Sequence, residues 1–210
     1  MSIVWIEGIG EITLVRSSRR RTVAAQICPD GSVRVHAPGY YPKALIKDFL
    51  MRRRDWIILN QRKIIQKNSL QDQQGEEKYL ALTAKYGSGK KAIEDMRRRT
   101  RKILSEKVPL YAEKIGVSYG KVSVRAMKSR WGSCSMKGDL SFNILLCELP
   151  EEVTGYVIIH ELCHRVHMDH SARFWQLVGR YDPAFQEHRR YLKDHGTQLI
   201  TTLEKLKASD

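Results

Sequence analysis

An α+β fold is what this sequence predicts, and three observations carry that reading. The first 40 residues contain short β-branched or alternating stretches, the pattern of half-buried strands. Two longer stretches, beginning near Pro42 and Lys90, space apolar residues at helical intervals. A second set of short strand-like stretches then leads into an apolar helical run, Val153 to Leu162. The expected order is a β-rich N-terminal part, long helices, a β-hairpin and a final group of helices.

Glu11–Val15, Thr22–Cys28 and Ser32–His36 read as strands, with Pro29-Asp30-Gly31 as the tight turn between the last two. Pro42 opens a helix running to about Lys67, with Ala44, Leu45, Phe49, Trp56, Ile57 and Ile64 as its apolar contacts. Gln66–Glu77 is polar and glutamine-rich, the best linker candidate. A second long helix, about Lys90 to Lys114, carries a stripe that includes Ile93, Met96, Leu104 and Val108. Val122–Met127 reads as a strand. Arg130–Cys134 and Leu140–Ile144 read as a hairpin turned at Lys137-Gly138-Asp139. Trp131 is a core or cleft residue. Helices are expected at about Ser171–Arg180 and Pro183–Lys207, with Gly196 a break candidate.

His160-Glu161-Leu162-Cys163-His164 lies at the end of the apolar run. Positions i and i+4 share a helix face, so two imidazoles can grip one metal ion from adjacent turns. The intervening glutamate is placed to act as general base: the HExxH arrangement of metal-dependent peptide hydrolysis. The plainer alternative is a histidine-rich surface helix. Pro150-Glu151-Glu152 suits a helix N-terminus, and no breaker interrupts the motif, which favours the metal site.

A catalytic zinc site usually has three protein ligands and one open position. His167 and His170 compete for the third place. His167 follows His160 by seven residues, roughly 10 Å of helical rise, which is far for an ion held at about 2.0–2.1 Å from each nitrogen. His170 can turn back if the helix ends near Met168-Asp169, with Ser171 capping the next helix. His170 is therefore favoured. Cys163 points to another helix face and is read as packing.

Three segments, Ser129-Arg-Trp-Gly-Ser-Cys134, His160-Glu-Leu-Cys-His164 and His170-Ser-Ala-Arg-Phe-Trp175, resemble the YgjP-like metallopeptidase family. Arg19-Arg-Arg-Thr22, Asp30-Gly31, Ala37-Pro38 and Asp55-Trp56 extend the resemblance over most of the chain. The family is similar to gluzincin-type peptidases and SprT-like proteins. The resemblance implies zinc as cofactor, His160, His164 and His170 as its ligands, Glu161 as catalytic base, and a polypeptide substrate. It also implies a compact zincin-like metallopeptidase domain with the hairpin before the HExxH helix. That domain is expected over residues 76–210, after a β-rich N-terminal region plus helix over 1–75. Two positions depart from the family pattern: Arg165 stands where leucine is expected, and Asp169 where asparagine is expected. An oxyanion donor is sought among Tyr181, His188, Arg189, Arg190 and Arg130.

At 42% hydrophobic residues the chain can build a core. No apolar run approaches the ~20 residues of a transmembrane helix, and the N-terminus lacks signal-peptide character. A cytoplasmic protein with no membrane partner is expected. Four cysteines without CxxC spacing are expected as free thiols. The net charge of +14 gathers at Arg16 with Arg19–Arg21, at Arg52–Arg54 and at Arg97–Lys102. Weak, non-specific nucleic-acid binding is the most that such a field is expected to give. The rival to a peptidase is thus a basic nucleic-acid-associated protein with a structural or vestigial zinc site. Oligomeric state is not legible.

Overall fold

The computed structural model describes residues 2–209. The chain divides into two compact units, Met1–Gln73 and Gln74–Asp210, and the architecture is α+β in mixed form.

The N-terminal unit is built on a four-stranded sheet. Its strands are β1 (Ser2–Ile6), β2 (Gly10–Ser17), β3 (Ala24–Ile27) and β4 (Val33–Pro38), in the order β1-β2-β4-β3. β2 and β4 are parallel, and the other pairs are antiparallel. Ile12 and Leu14 of β2 and Val33 and Val35 of β4 alternate into a core that Ile46 and Leu50 of α1 (Lys43–Arg52) complete. At the β3–β4 turn, Gly31 takes φ 82° and the Asp30 carboxylate accepts from Ser32 N and Oγ. β1 lies outside the strands read from sequence. It is an edge strand whose outward residues, Ile3 and Trp5, are apolar like the inward Val4 and Ile6, so no polar–apolar alternation marks it in the sequence.

The helix expected from Pro42 to Lys67 is two helices. α1 stops at Arg52, Arg53 leaves the helical region at φ −109° and ψ 10°, and α2 runs over Arg54–Tyr86. The expected linker, Gln66–Glu77, is therefore helical. Gln, Lys, Glu and Leu are strong helix formers, and a polar surface does not by itself break a helix.

In the second unit, α3 (Gly89–Ile115) ends on Gly116, whose φ of 78° lets its N–H reach Ala112 O and Glu113 O. A three-stranded sheet follows: β5 (Val122–Arg125), β6 (Gly132–Cys134) and β7 (Leu140–Asn143), ordered β5-β7-β6. The β6–β7 hairpin is antiparallel, pairing Gly132 with Phe142, and β6 is one of the two edge strands. A short helical turn, Ile144–Glu148, leads into α4 (Glu151–Cys163), followed by α5 (Ala172–Tyr181) and α6 (Phe185–Ala208).

α4 packs against α3, α5, α6 and β6. Every residue from Val153 to Ile159 is buried, so this helix is apolar all round because it is the core. Gly196 does not break α6. A Cβ there would lie 3.0 Å from the Trp131 ring, so glycine admits the indole against the helix.

Asn143 holds the segment ahead of β6. Its Nδ2 donates to Met127 O and Arg130 O, both at 2.9 Å, and its Oδ1 accepts from Leu145 N. The residue is fully buried. Asn143→Ala should lower stability by about 3 kcal/mol, because it strands buried polar groups rather than merely deleting one hydrogen bond. Urea unfolding should show a lower midpoint with an unchanged slope. An unchanged midpoint would mean that water replaces all three bonds.

Candidate metal centre

α4 carries His160 and Glu161 in its last turn and ends at His164, the C-cap residue with φ −64° and ψ −14°. The helix thus stops four residues before Met168, earlier than the end near Met168-Asp169 from which His170 was expected to turn back. The i, i+4 spacing sets the His160 and His164 ring centres 5.0 Å apart. The chain then turns, and His170 returns so that its Nε2 lies 3.2 Å from His160 Nε2. One donor nitrogen from each of His160, His164 and His170 falls within a 4.8 Å group. Two nitrogens at about 2.0–2.1 Å from a tetrahedral ion sit about 3.3–3.4 Å apart, close to the His160–His170 spacing.

His167 enters the site through its backbone rather than its ring. Its carbonyl accepts a 3.0 Å hydrogen bond from His164 Nδ1. A carbonyl only accepts, so Nδ1 carries the proton and Nε2 keeps its lone pair. Nδ1 of His160 is buried without a hydrogen-bond partner. It can hold that ring's proton and leave Nε2 as a donor to metal. Burial pushes the His160 pKa down to about 3, helped by the neighbouring histidines, and burial also lowers His164. His160 and His164 therefore stand as neutral imidazoles, the form that binds metal.

Phe174 forms the floor. It is fully buried, and its ring centre lies 4.9, 4.5 and 4.9 Å from those of His160, His164 and His170. Asp169 Oδ1 accepts from Ser171 N at the entrance to α5, a role an asparagine carbonyl would also fill. Ser171 occupies the N-cap position, although its side chain makes no cap hydrogen bond. Arg165 donates from Nε to Ser118 O and from a terminal nitrogen to Met136 O, tying the end of α4 to the β6–β7 turn.

Glu161 is 6% exposed. It lies against Gly132 of β6 so closely that a Cβ there would fall 2.5 Å from Glu161 Oε1. Burial raises its pKa to about 8, and the charge of Arg130 acts the other way. A cleft of about 270 Å³ runs between β6 and the histidines, lined by Arg130, Gly132, Ser133 and Cys134 on one side and His160, Glu161, His164 and His170 on the other.

All four cysteines are free. Cys163 is buried packing, its thiol pushed up to about 12 by desolvation. Of the oxyanion candidates, Arg130 lines the cleft. His188 is bound to Asp182 at 2.8 Å, Arg189 lies over Trp175, and Tyr181 sits beside Arg180. Arg190 lies further along α6. Within the basic clusters, Arg97 and Arg101 pair with Glu94, Arg98 pairs with Asp95, and Arg16 donates to three backbone carbonyls. Sequence reasoning did not single out Gly132 or Phe174 as site residues. The segments containing them were marked, but their close approach to Glu161 and the imidazoles is a tertiary contact.

In metal-free protein, the raised Glu161 pKa has a definite sign. The native state holds a proton that the unfolded chain has lost, so stability falls as pH rises through the window. That window runs from 4.5 to about 8. Chelator-treated protein should lose stability relative to Glu161→Gln across it, as read by urea midpoints. The comparison cancels His160, whose lowered pKa acts with the opposite sign. Parallel profiles would show that the Glu161 carboxyl is not desolvated.

The chain matches the family model described as YgjP-like, metallopeptidase domain, over residues 21–88 and 66–195. Among solved structures, it is similar to the metallopeptidase zymogen abylysin of Pyrococcus abyssi, at 26% identity over 43% of this chain and 93% of that one, with a TM-score of 0.40. It is also similar to the metallopeptidase zymogen jannalysin of Methanocaldococcus jannaschii, at 20% identity over 43% of this chain and 94% of that one, with a TM-score of 0.39. A search of curated proteins gives no match. No helix among the described residues is long and apolar enough to cross a membrane. With a family match that spans most of its length and a histidine triad at the end of its central helix, this chain belongs to the YgjP-like family and is a metallopeptidase.

Proposed function

We propose that this protein hydrolyses polypeptides with a zinc ion held by His160, His164 and His170 and with Glu161 as general base. The observation that carries the proposal is the meeting of three imidazole donors within 4.8 Å, with a buried carboxylate on the same helix turn. A three-imidazole set without thiolate suits zinc and leaves a coordination position open. When bound, the ion supplies Lewis acidity to water and to the scissile carbonyl, and its charge favours ionised Glu161. Glu161 then takes the proton of the attacking water and delivers it to the leaving amine.

β6 supplies the substrate rail. It is an edge of its sheet, and Gly132 to Cys134 line the cleft opposite the histidines. An extended polypeptide can pair with that edge by main-chain hydrogen bonds. Arg130 is our choice for the group that steadies developing oxyanion charge, because it lines the same cleft. A structural-zinc protein that binds nucleic acid accounts for none of this: a structural site closes four ligands and has no use for a base. We place the catalytic domain in residues 76–210, after an N-terminal region over 1–75. Free cysteines fit a role in the reducing cytoplasm.

Purified protein should carry about one zinc per chain, given a single three-histidine site. His160→Ala or His164→Ala should abolish binding, and His170→Ala should weaken it more than His167→Ala, as read by elemental analysis and competition with a chromogenic chelator. Equal zinc content in all four variants would remove the proposed ligand set.

Glu161→Gln should keep zinc and fold while kcat/KM on a cleaved peptide falls by about a thousandfold, the scale of lost general-base catalysis. Gly132→Ala should also keep zinc but lose roughly a hundredfold, since a displaced carboxylate is a misplaced base. Full activity in Glu161→Gln would sink the mechanism.

A further inference from the structure

A second cleft adjoins the histidine triad and has a different chemistry. It measures about 750 Å³ and is lined by Trp175, Phe185, Gln186, Arg189, Arg190 and Lys193. Trp175 joins it to the metal centre: the indole lies 5.6 Å from the His160 ring and 5.7 Å from the His170 ring. The same indole stacks on Phe185 at 5.5 Å and 17°. The Arg189 guanidinium lies 4.8 Å from the Trp175 ring centre.

Four of the lining residues come from one face of α6. Gln186, Arg189, Arg190 and Lys193 follow the i, i+3, i+4, i+7 spacing that brings side chains together on a helix. Arg189, Arg190 and Lys193 have no carboxylate partner among the described residues, unlike Arg97, Arg98 and Arg101 on α3. Gathering like charges along one helix face opposes the helix rather than supporting it. The aromatic floor holds at least Arg189 in place, so the cleft presents an ordered cation beside an apolar wall.

We infer that this cleft is a specificity subsite that binds a carboxylate of the polypeptide substrate, close to the bond being cut. The inference rests on the peptidase function proposed above. Guanidinium groups pair with carboxylates in two-pronged, charge-assisted hydrogen bonds. Trp175 and Phe185 receive the methylene stem or an adjacent apolar side chain. The carboxylate belongs either to an internal Glu or Asp or to the substrate's own C-terminus. A polypeptide is favoured over a nucleic acid because Trp175 is shared with the peptidase centre.

The test uses the zinc-loaded full chain carrying Glu161→Gln, so that binding is read without turnover. The probes are fluorescein-labelled hexapeptides, capped at both ends, with two central Glu or two central Gln residues. A third, neutral pair differs only in a free or amidated C-terminus. Anisotropy titrations should show at least one acidic member of these pairs binding about tenfold tighter than its neutral twin, the scale of a charge-assisted contact. Preference within the Glu/Gln pair assigns an internal side chain, and preference within the terminal pair assigns the C-terminus. Adding Arg189→Gln, Arg190→Gln and Lys193→Gln should bring the ratio to within about twofold of unity. Removing the same charge at Arg19, Arg20 and Arg21 should leave the preference in place.

Equal affinities within both pairs, or a preference that survives the α6 substitutions, would overturn the proposal. So would a single-stranded RNA oligomer that displaces the acidic peptide and binds more tightly, with its own binding lost in the α6 variant. A protein that binds acidic peptides through α6 yet cleaves no peptide as wild type would count against the hydrolytic function and leave the subsite standing.

Discussion

Everything in the C-terminal unit depends on the burial of α4. A helix enclosed by α3, α5, α6 and β6 has no solvated face over most of its length. Its apolar residues, Val153, Val157, Ile158 and Ile159 among them, are held by packing on every side. Only its last turn reaches a cleft. That arrangement fixes where His160, Glu161 and His164 stand without any contribution from a flexible loop. It also sets their chemistry, because a desolvated imidazole stays neutral and a desolvated carboxyl holds its proton.

The rest of the centre is an answer to that fixed helix end. The segment after His164 is short and is pinned at several points. The His167 carbonyl orients His164, Arg165 ties down the helix terminus, and Asp169 steers the chain into α5. α5 then delivers Phe174 beneath all three imidazoles and Trp175 beside two of them. On the opposite side, the hairpin brings Gly132 against Glu161, where a side chain would have no room. Asn143 sets the approach to that strand from the other end of the hairpin. Each contact restricts a group that the proposed chemistry needs at one place.

The positive charge divides into different kinds. On α3 the arginines lie one turn from Glu94 and Asp95 and pair within the helix. Arg16 serves the backbone of its own unit. On α6 the cations line a cleft with aromatic walls. Net charge alone, which suggested a diffuse field, does not separate these cases. Partner geometry does, since the charge of a paired guanidinium is met by its carboxylate while that of an unpaired one beside a cleft is not.

The sequence by itself determined the α+β class, the hairpin, the long helix α3 and the donor groups gathered at the helix end. These are local properties: alternation, helical spacing and the i, i+4 placement of His160 and His164 with Glu161 between them. It offered Gln66–Glu77 as the linker candidate; the boundary between the two units does fall there, yet the segment is helical, because a polar stretch of good helix formers looks like a linker when no packing is visible. It also offered Gly196 as a break candidate, because the Trp131 ring that needs the space is far away in the chain. Only the tertiary structure decided which further histidine joins the pair. That choice rests on where α4 stops and how the next turn runs, and the turn is set by carbonyls and side chains distant in sequence. The same holds for Gly132, Phe174 and the Trp175 cleft, whose roles arise from segments that meet only after the chain has folded.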